Sequence, residues 1–212
     1  MDNLLKTGTT IVGLKCKDGV ILAADKRMTL GGQIIAHRRF EKVVILNDNI
    51  ALCIAGGVSD IQLLIKIIKA QLKLDELRRS KKLDVKSSAN LLSNLVYQNV
   101  RKFSAIPAIT GFLLGGRDDN GVYLYHLGID GALTEYDDYA SDGSGFMFAT
   151  GVLESAYKKD MTMDEGVKLI AKAINAAIQR DAASGDGIDI ISITKAGIKK
   201  VLTKTLESRL NI

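Results

Sequence analysis

Lys6-Thr7-Gly8-Thr9-Thr10-Ile11-Val12-Gly13 sets a short polar leader directly against an apolar strand, with Gly8 at the join. Cutting the Gly8–Thr9 bond would create an N-terminus whose first residue carries both a hydroxyl and a free α-amine. A threonine hydroxyl attacks poorly until a base takes its proton. An α-amine, with an ordinary pKa of about 7.7–8.0, is such a base near neutral pH. One residue would then supply nucleophile and base together, the N-terminal threonine form of triad logic. Taken alone, the stretch also reads as a flexible leader running into a strand, and the rest of the chain has to separate the two.

Two β-rich runs, residues 10–16 and 20–24, flank Lys17-Asp18-Gly19. Asp-Gly between apolar runs is a strong hairpin signal. With Asp18 and Gly19 as the turn, paired positions sum to 37, which puts Thr9 opposite Met28 and Asp25 at the same ribbon end. A second hairpin is expected from residues 42–46 and 50–55 around Asn47-Asp48-Asn49, which are turn-forming types. Centred on Asp48-Asn49, its pairs sum to 97, so Lys42 faces Ala55 and Gly56-Gly57 opens a loop beside it.

Ser59-Asp60 is a fitting N-cap for a helix of about twenty residues with Ile61, Leu64, Ile65 and Ile68 on one face. Asp84 opens a second helix, marked by Leu91, Leu92, Leu95 and Val96 at the same period. Strands are expected over 108–114, 122–127 and 131–136, a short helix from Gly143-Ser144-Gly145 to about 157, and a longer helix over 163–181. Strands over 188–194 and 198–203 close the chain. This order of strands and helix pairs predicts an α+β, four-layer αββα sandwich: two stacked antiparallel sheets with helices on both outer faces.

Composition agrees with a compact chain. Of 212 residues 47% are apolar, and Pro107 is the single proline. Cys16 and Cys53 lie in separate apolar runs with no Cys-x-x-Cys, which predicts buried reduced thiols and a cytoplasmic setting. No apolar run reaches the roughly 18 residues that span a bilayer. The net charge of +5 comes from interspersed charges with no Trp, which gives nucleic-acid binding little support. His37 and His126 have no Cys or acid at ligand spacing, so no metal is expected. A phosphate loop and a Gly-x-Ser-x-Gly elbow are both absent.

Thr9, Asp25, Lys42, Gly56-Gly57, Ser144 and the run Gln179-Arg180-Asp181-Ala182-Ala183-Ser184-Gly185 follow one another along the chain. In that order and spacing the chain resembles a proteasome β subunit, most similar to those of archaea, within the N-terminal nucleophile hydrolase superfamily. The resemblance implies a propeptide, residues 1–8, removed by the subunit itself between Gly8 and Thr9, and a single domain over 9–212. It implies Thr9 as nucleophile, Lys42 as the cation beside it, and Asp25 as the acid that pairs with Lys42. Gly56 would offer its backbone N–H as an oxyanion hole, where glycine permits close approach. Ser144, Asp181 and Ser184 would orient the threonine amine, although Ser144 reads equally as a helix N-cap and Asp181 as a helix-end acid. The segment 29–39, with Gly31-Gly32, is slightly longer than the family pattern.

By the same resemblance Met28, Val44, Ile54, Val58 and Ile61 form the substrate pocket. No charged residue is among them, which predicts cleavage after large apolar residues. The family further implies stacked seven-membered rings of α and β subunits, an ATP-driven unfoldase, unfolded polypeptide substrates and no cofactor. A non-catalytic ring subunit whose threonine is never exposed is the reading from another class. A simpler bacterial ATP-dependent relative is the other enzyme, but the run 179–185 resembles the proteasome version.

Overall fold

A computed structural model describes residues 8–206. Residues 1–7, on which the propeptide expectation largely falls, lie outside the described residues. The first hairpin joins β1 (Thr10–Cys16) to β2 (Gly19–Asp25). Its turn is Lys17-Asp18, because Gly19 already pairs with Cys16. Paired positions therefore sum to 35 rather than 37, as in Ile11 with Ala24. The correction places Asp25 opposite Thr10 instead of bringing Met28 to Thr9. Gly19 is drawn into the ladder by a second neighbour: a Cβ there would lie 2.2 Å from the Ile193 oxygen of the adjoining strand.

After β2 come a small two-stranded ribbon, β3 (Met28–Leu30) and β4 (Ile34–His37), and then β5 (Val43–Ile45) and β6 (Ile50–Gly56). The β5–β6 pairs sum to 96, so Lys42 faces Ile54, whose N–H donates to the Lys42 oxygen at 3.0 Å. Helices α1 (Val58–Arg79) and α2 (Val85–Val100) follow, then β7 (Thr110–Asp118), β8 (Gly121–Leu127), β9 (Leu133–Glu135) and β10 (Tyr139–Gly143). Helices α3 (Phe146–Ala156) and α4 (Met163–Arg180) lead to β11 (Gly187–Thr194) and β12 (Gly197–Thr205). The α1 cap is Gly57, which gives no side-chain hydrogen bond, so the helix starts before the Ser59-Asp60 pair that the sequence suggests. Asp84 caps α2 as expected, accepting from the Ser87 N–H. Thr162 and Glu165 form a reciprocal capping box on α4, satisfying two N–H groups that the helix cannot.

The strands pair antiparallel in the orders β10-β1-β2-β11-β12 and β5-β6-β7-β8-β9. Side chains alternate across β2: Val20, Leu22 and Ala24 enter the core between the sheets, while Ile21 and Ala23 face α4. Period-two alternation with both faces covered leaves a nearly continuous apolar run. A second outer core joins the other sheet to α1 and α2 through Leu52, Ile54, Ile61, Leu64, Leu92 and Phe112. Three apolar cores thus separate four layers, the predicted αββα sandwich. No helix among the described residues is long and apolar enough to cross a membrane.

Both cysteines are free and buried. Burial pushes the Cys16 thiol up to about 12 and the Cys53 thiol upward as well. A raised folded pKa lends stability that is full below the ordinary thiol value and drains away as pH climbs through the folded one. At about pH 8, Ellman's reagent should leave both thiols of the native protein unmodified and titrate both in denaturant. Rapid native modification of either would contradict this burial.

Candidate active site

The strand ends that the sheets bring together build the site around Thr9, which is buried in front of β1. Its hydroxyl donates to the Gly8 oxygen at 2.6 Å, and its N–H donates to Ser144 Oγ at 3.1 Å. Ser144, between β10 and α3, donates in turn to Asp181 Oδ2 at 2.5 Å. Asp181 is the C-cap of α4 and also accepts from Ser184 Oγ at 2.6 Å. Ser184 Oγ meets Thr10 Oγ1 at 2.7 Å, closing a chain of hydroxyls around one carboxylate. Ser144 comes from one segment of the sequence and Asp181 and Ser184 from another, yet they form one network against the Thr9 nitrogen.

Asp25, at the end of β2, is 1% exposed. Its Oδ1 accepts from the Thr10 N–H at 2.9 Å and from Lys42 Nζ at 2.6 Å. Its Oδ2 accepts from the N–H groups of Arg27 and Gly185 at 3.0 and 2.9 Å. Lys42 is 2% exposed, and burial holds its ammonium below the ordinary lysine value while the Asp25 carboxylate pulls the other way. Desolvation disfavours the charged form and an adjacent opposite charge favours it. Here burial outweighs the pair, so Lys42 holds its proton less tightly than an exposed lysine.

Gly56 ends β6 at φ 120°, in the left-handed half of backbone space, and a Cβ there would lie 2.1 Å from the Ile109 oxygen. Only glycine fits that turn. The next N–H, of Gly57, is already donated to Ile109 at 2.7 Å. Thr9, Lys42 and Gly56 line one narrow cavity together with Met28, Ile54, Val58 and Ile61. Val44, the fifth residue expected in its wall, packs instead against the core under α1 and α2. Phe40 lines the cavity, as does Thr29, whose Oγ1 accepts from the Gly8 N–H at 2.8 Å.

Sequence reasoning missed Phe40, Thr29, Thr10 and Arg27. Arg27 Nε donates to Asp186 at 2.8 Å and its Nη1 to the Ala182 oxygen at 2.8 Å, which fastens the loop carrying Ser184. Phe40 carried a signal, a single aromatic inside the charged run Arg38-Arg39-Phe40-Glu41-Lys42. Thr29 and Thr10 are recognisable only once the strands are paired.

The chain matches the model of the proteasome subunit family over residues 5–193. It is 45% identical over 190 residues to a proteasome subunit beta from Archaeoglobus profundus, covering 90% of this chain and 86% of that one. Against the Ferroglobus placidus subunit beta it is 42% identical over 201 residues, covering 95% and 93%. The subunit beta of Nanoarchaeum equitans is 41% identical over 194 residues, covering 91% and 96%. Matched along nearly its whole length, the chain belongs to the proteasome subunit family, beside the archaeal β subunits.

Proposed function

We propose that this chain is a catalytic β subunit of a proteasome core, a threonine endopeptidase that activates itself by cutting Gly8–Thr9. The observation that carries the reading is the setting of Thr9. Its hydroxyl lies against the Gly8 carbonyl while its nitrogen is held by the Ser144–Asp181 pair. In self-cleavage Thr9 Oγ1 bonds to the Gly8 carbonyl carbon as the Gly8–Thr9 C–N bond breaks, leaving an ester and a free amine. Water then breaks the ester and releases the leader, residues 1–8, as a carboxylate. The freed amine, oriented by Ser144, Asp181 and Ser184, is the base for later turnovers in the domain 9–212. Thr9 Oγ1 attacks a peptide carbonyl, the amine takes the hydroxyl proton, and the same proton goes to the departing amine.

Lys42, paired with Asp25, supplies positive charge beside the developing alkoxide, and the Gly56 N–H supports the tetrahedral oxyanion. The pocket of Met28, Phe40, Ile54, Val58 and Ile61 accepts a large apolar side chain before the cut. Family membership supports seven-membered rings stacked with α subunits, feeding by an ATP-dependent unfoldase, unfolded polypeptide substrates and a cytoplasmic location. Enclosure suits such chemistry, since an exposed nucleophile would degrade proteins without control.

Intact mass of the subunit from assembled particles tests the reading most directly. Mass beginning at Thr9 is expected; a retained leader would instead identify a non-catalytic ring subunit. Thr9→Ala should assemble, keep its leader and show no hydrolysis of an apolar fluorogenic peptide. Lys42→Arg should lower turnover at least about a hundredfold, because a planar fork cannot replace a compact ammonium. Near-normal rates in processed Lys42→Arg particles would reduce Lys42 to a structural partner of Asp25. Ile54→Arg should suppress cleavage after Leu, Phe and Tyr and move residual activity toward acidic residues, since an unpaired buried guanidinium favours a carboxylate. A peptide panel varied only before the cut measures this, and an unchanged profile would remove Ile54 from the pocket.

A further inference from the structure

Two hollows meet at Gly8. One is the apolar cavity, and the other is a wider, more open cleft. Ser144 and Asp181, which hold the Thr9 nitrogen, line the open cleft and not the apolar cavity. When a peptide bond breaks at Thr9, the new amine takes its proton from that nitrogen. The departing segment therefore leaves on the nitrogen's side, along the open cleft.

The wall of this cleft carries a carboxylate that the reaction does not use. Asp142 on β10 meets His126 on β8, with His126 Nε2 3.0 Å from Asp142 Oδ2, so the pair links one sheet to the other. Both side chains are partly open, at 30% for Asp142 and 28% for His126. Asp142 Oδ1 accepts from the Gly143 N–H at 2.6 Å. Beneath it Gly111 on β7 leaves the space bare, where a Cβ would come 2.5 Å from Asp142 Oδ2. Two of the roughly four acceptor positions of this carboxylate are filled, and the others remain for a ligand. Asp181, the other acid in the cleft, already takes the Ser144 and Ser184 hydroxyls. No lysine or arginine lines the cleft among the described residues, while Ile109 and Ile129 give it apolar wall. A long cationic side chain matches both parts, laying its stem on apolar surface and its head on the acid.

We propose that Asp142, seated by His126 over Gly111, determines specificity on the leaving side of the cut by favouring lysine or arginine among the first two residues after it. This rests on the threonine peptidase reading above, whose own selectivity concerns only the residue before the cut. An ion pair at such partial exposure is worth about threefold in rate for a cation and a similar loss for an anion, about tenfold between them.

The test uses assembled, processed particles and internally quenched peptides. These share an apolar residue before the cut and carry Lys, Gln or Glu at the first or second position after it. The ratio of the Lys to the Glu rate within one particle preparation cancels the amount of active enzyme. Wild type should favour Lys over Glu by about tenfold, and Asp142→Asn should bring the ratio to within about twofold. Asp142→Thr, a residue at ease in a strand, should do the same, so that a folding defect in one variant does not decide the matter. A flat wild-type profile, or an undiminished ratio in either assembled variant, overturns the proposal while leaving the peptidase reading intact. A wild-type particle that cleaves neither these peptides nor a coumarin amide, which has no residue after the cut, overturns both.

Discussion

Four separate stretches of chain converge on the carboxylate of Asp25. It takes the N–H of Thr10 from β1, of Arg27 after β2, and of Gly185 before β11, and it takes the Lys42 ammonium from the approach to β5. A buried charge that loses its partner costs about 3–5 kcal/mol, so each stretch is held to the position the others require. Thr9 inherits its place from this arrangement, since the next residue is fixed to Asp25 through its backbone. The hydroxyl network of Ser144, Asp181 and Ser184 then closes on the other side of the same residue. Charge thus locates Thr9, and hydroxyls gathered on the Asp181 carboxylate hold its nitrogen.

The same convergence explains the state of Lys42. Away from water its ammonium loses hydration, and the single carboxylate beside it offsets only part of that loss. A second buried pair, Lys26 with Asp189 at 2.7 Å, sits nearby and joins the end of β2 to β11. Lys26 and Asp25 are neighbours in sequence but carry opposite charges into separate buried contacts.

The layered architecture was legible because its signals are local: apolar runs, turn residues, and the cap at Asp84. The first hairpin register was displaced because Asp18-Gly19 is the usual turn pair, yet Gly19 is held in the ladder by β11, which no local rule can see. Strands β3, β4 and β10 were missed for related reasons. Residues 28–30 form too short a run to show alternation, residues 34–37 are all exposed, and Tyr139–Gly143 ends in Ser-Asp-Gly, which reads as a turn. The candidate site residues were named by resemblance, and their contacts came only from the folded chain. Val44 and Phe40 show the limit of that approach: Val44, two residues after Lys42, packs against the core under α1 and α2, while Phe40, two residues before it, lines the cavity.

Gly8 leaves no space for a side chain: a Cβ there would fall 1.9 Å from the Ala183 Cβ. The residue before the proposed cut is therefore the smallest possible, although the cavity beside Thr9 is lined by the apolar side chains of Met28, Phe40, Ile54, Val58 and Ile61. For the proposed self-cleavage, the pocket can add nothing to recognition. The covalent tether must do that work instead, raising the effective concentration of the carbonyl at the hydroxyl to levels a free substrate cannot reach. Under the same proposal a free peptide has no such tether and would have to fill the cavity to stay. The enzyme would then obey two selection rules with one nucleophile, an intramolecular rule that demands absence of a side chain and an intermolecular rule that demands its presence. Activation could not be mimicked by outside polypeptides ending in glycine, and substrates could not be confused with the leader.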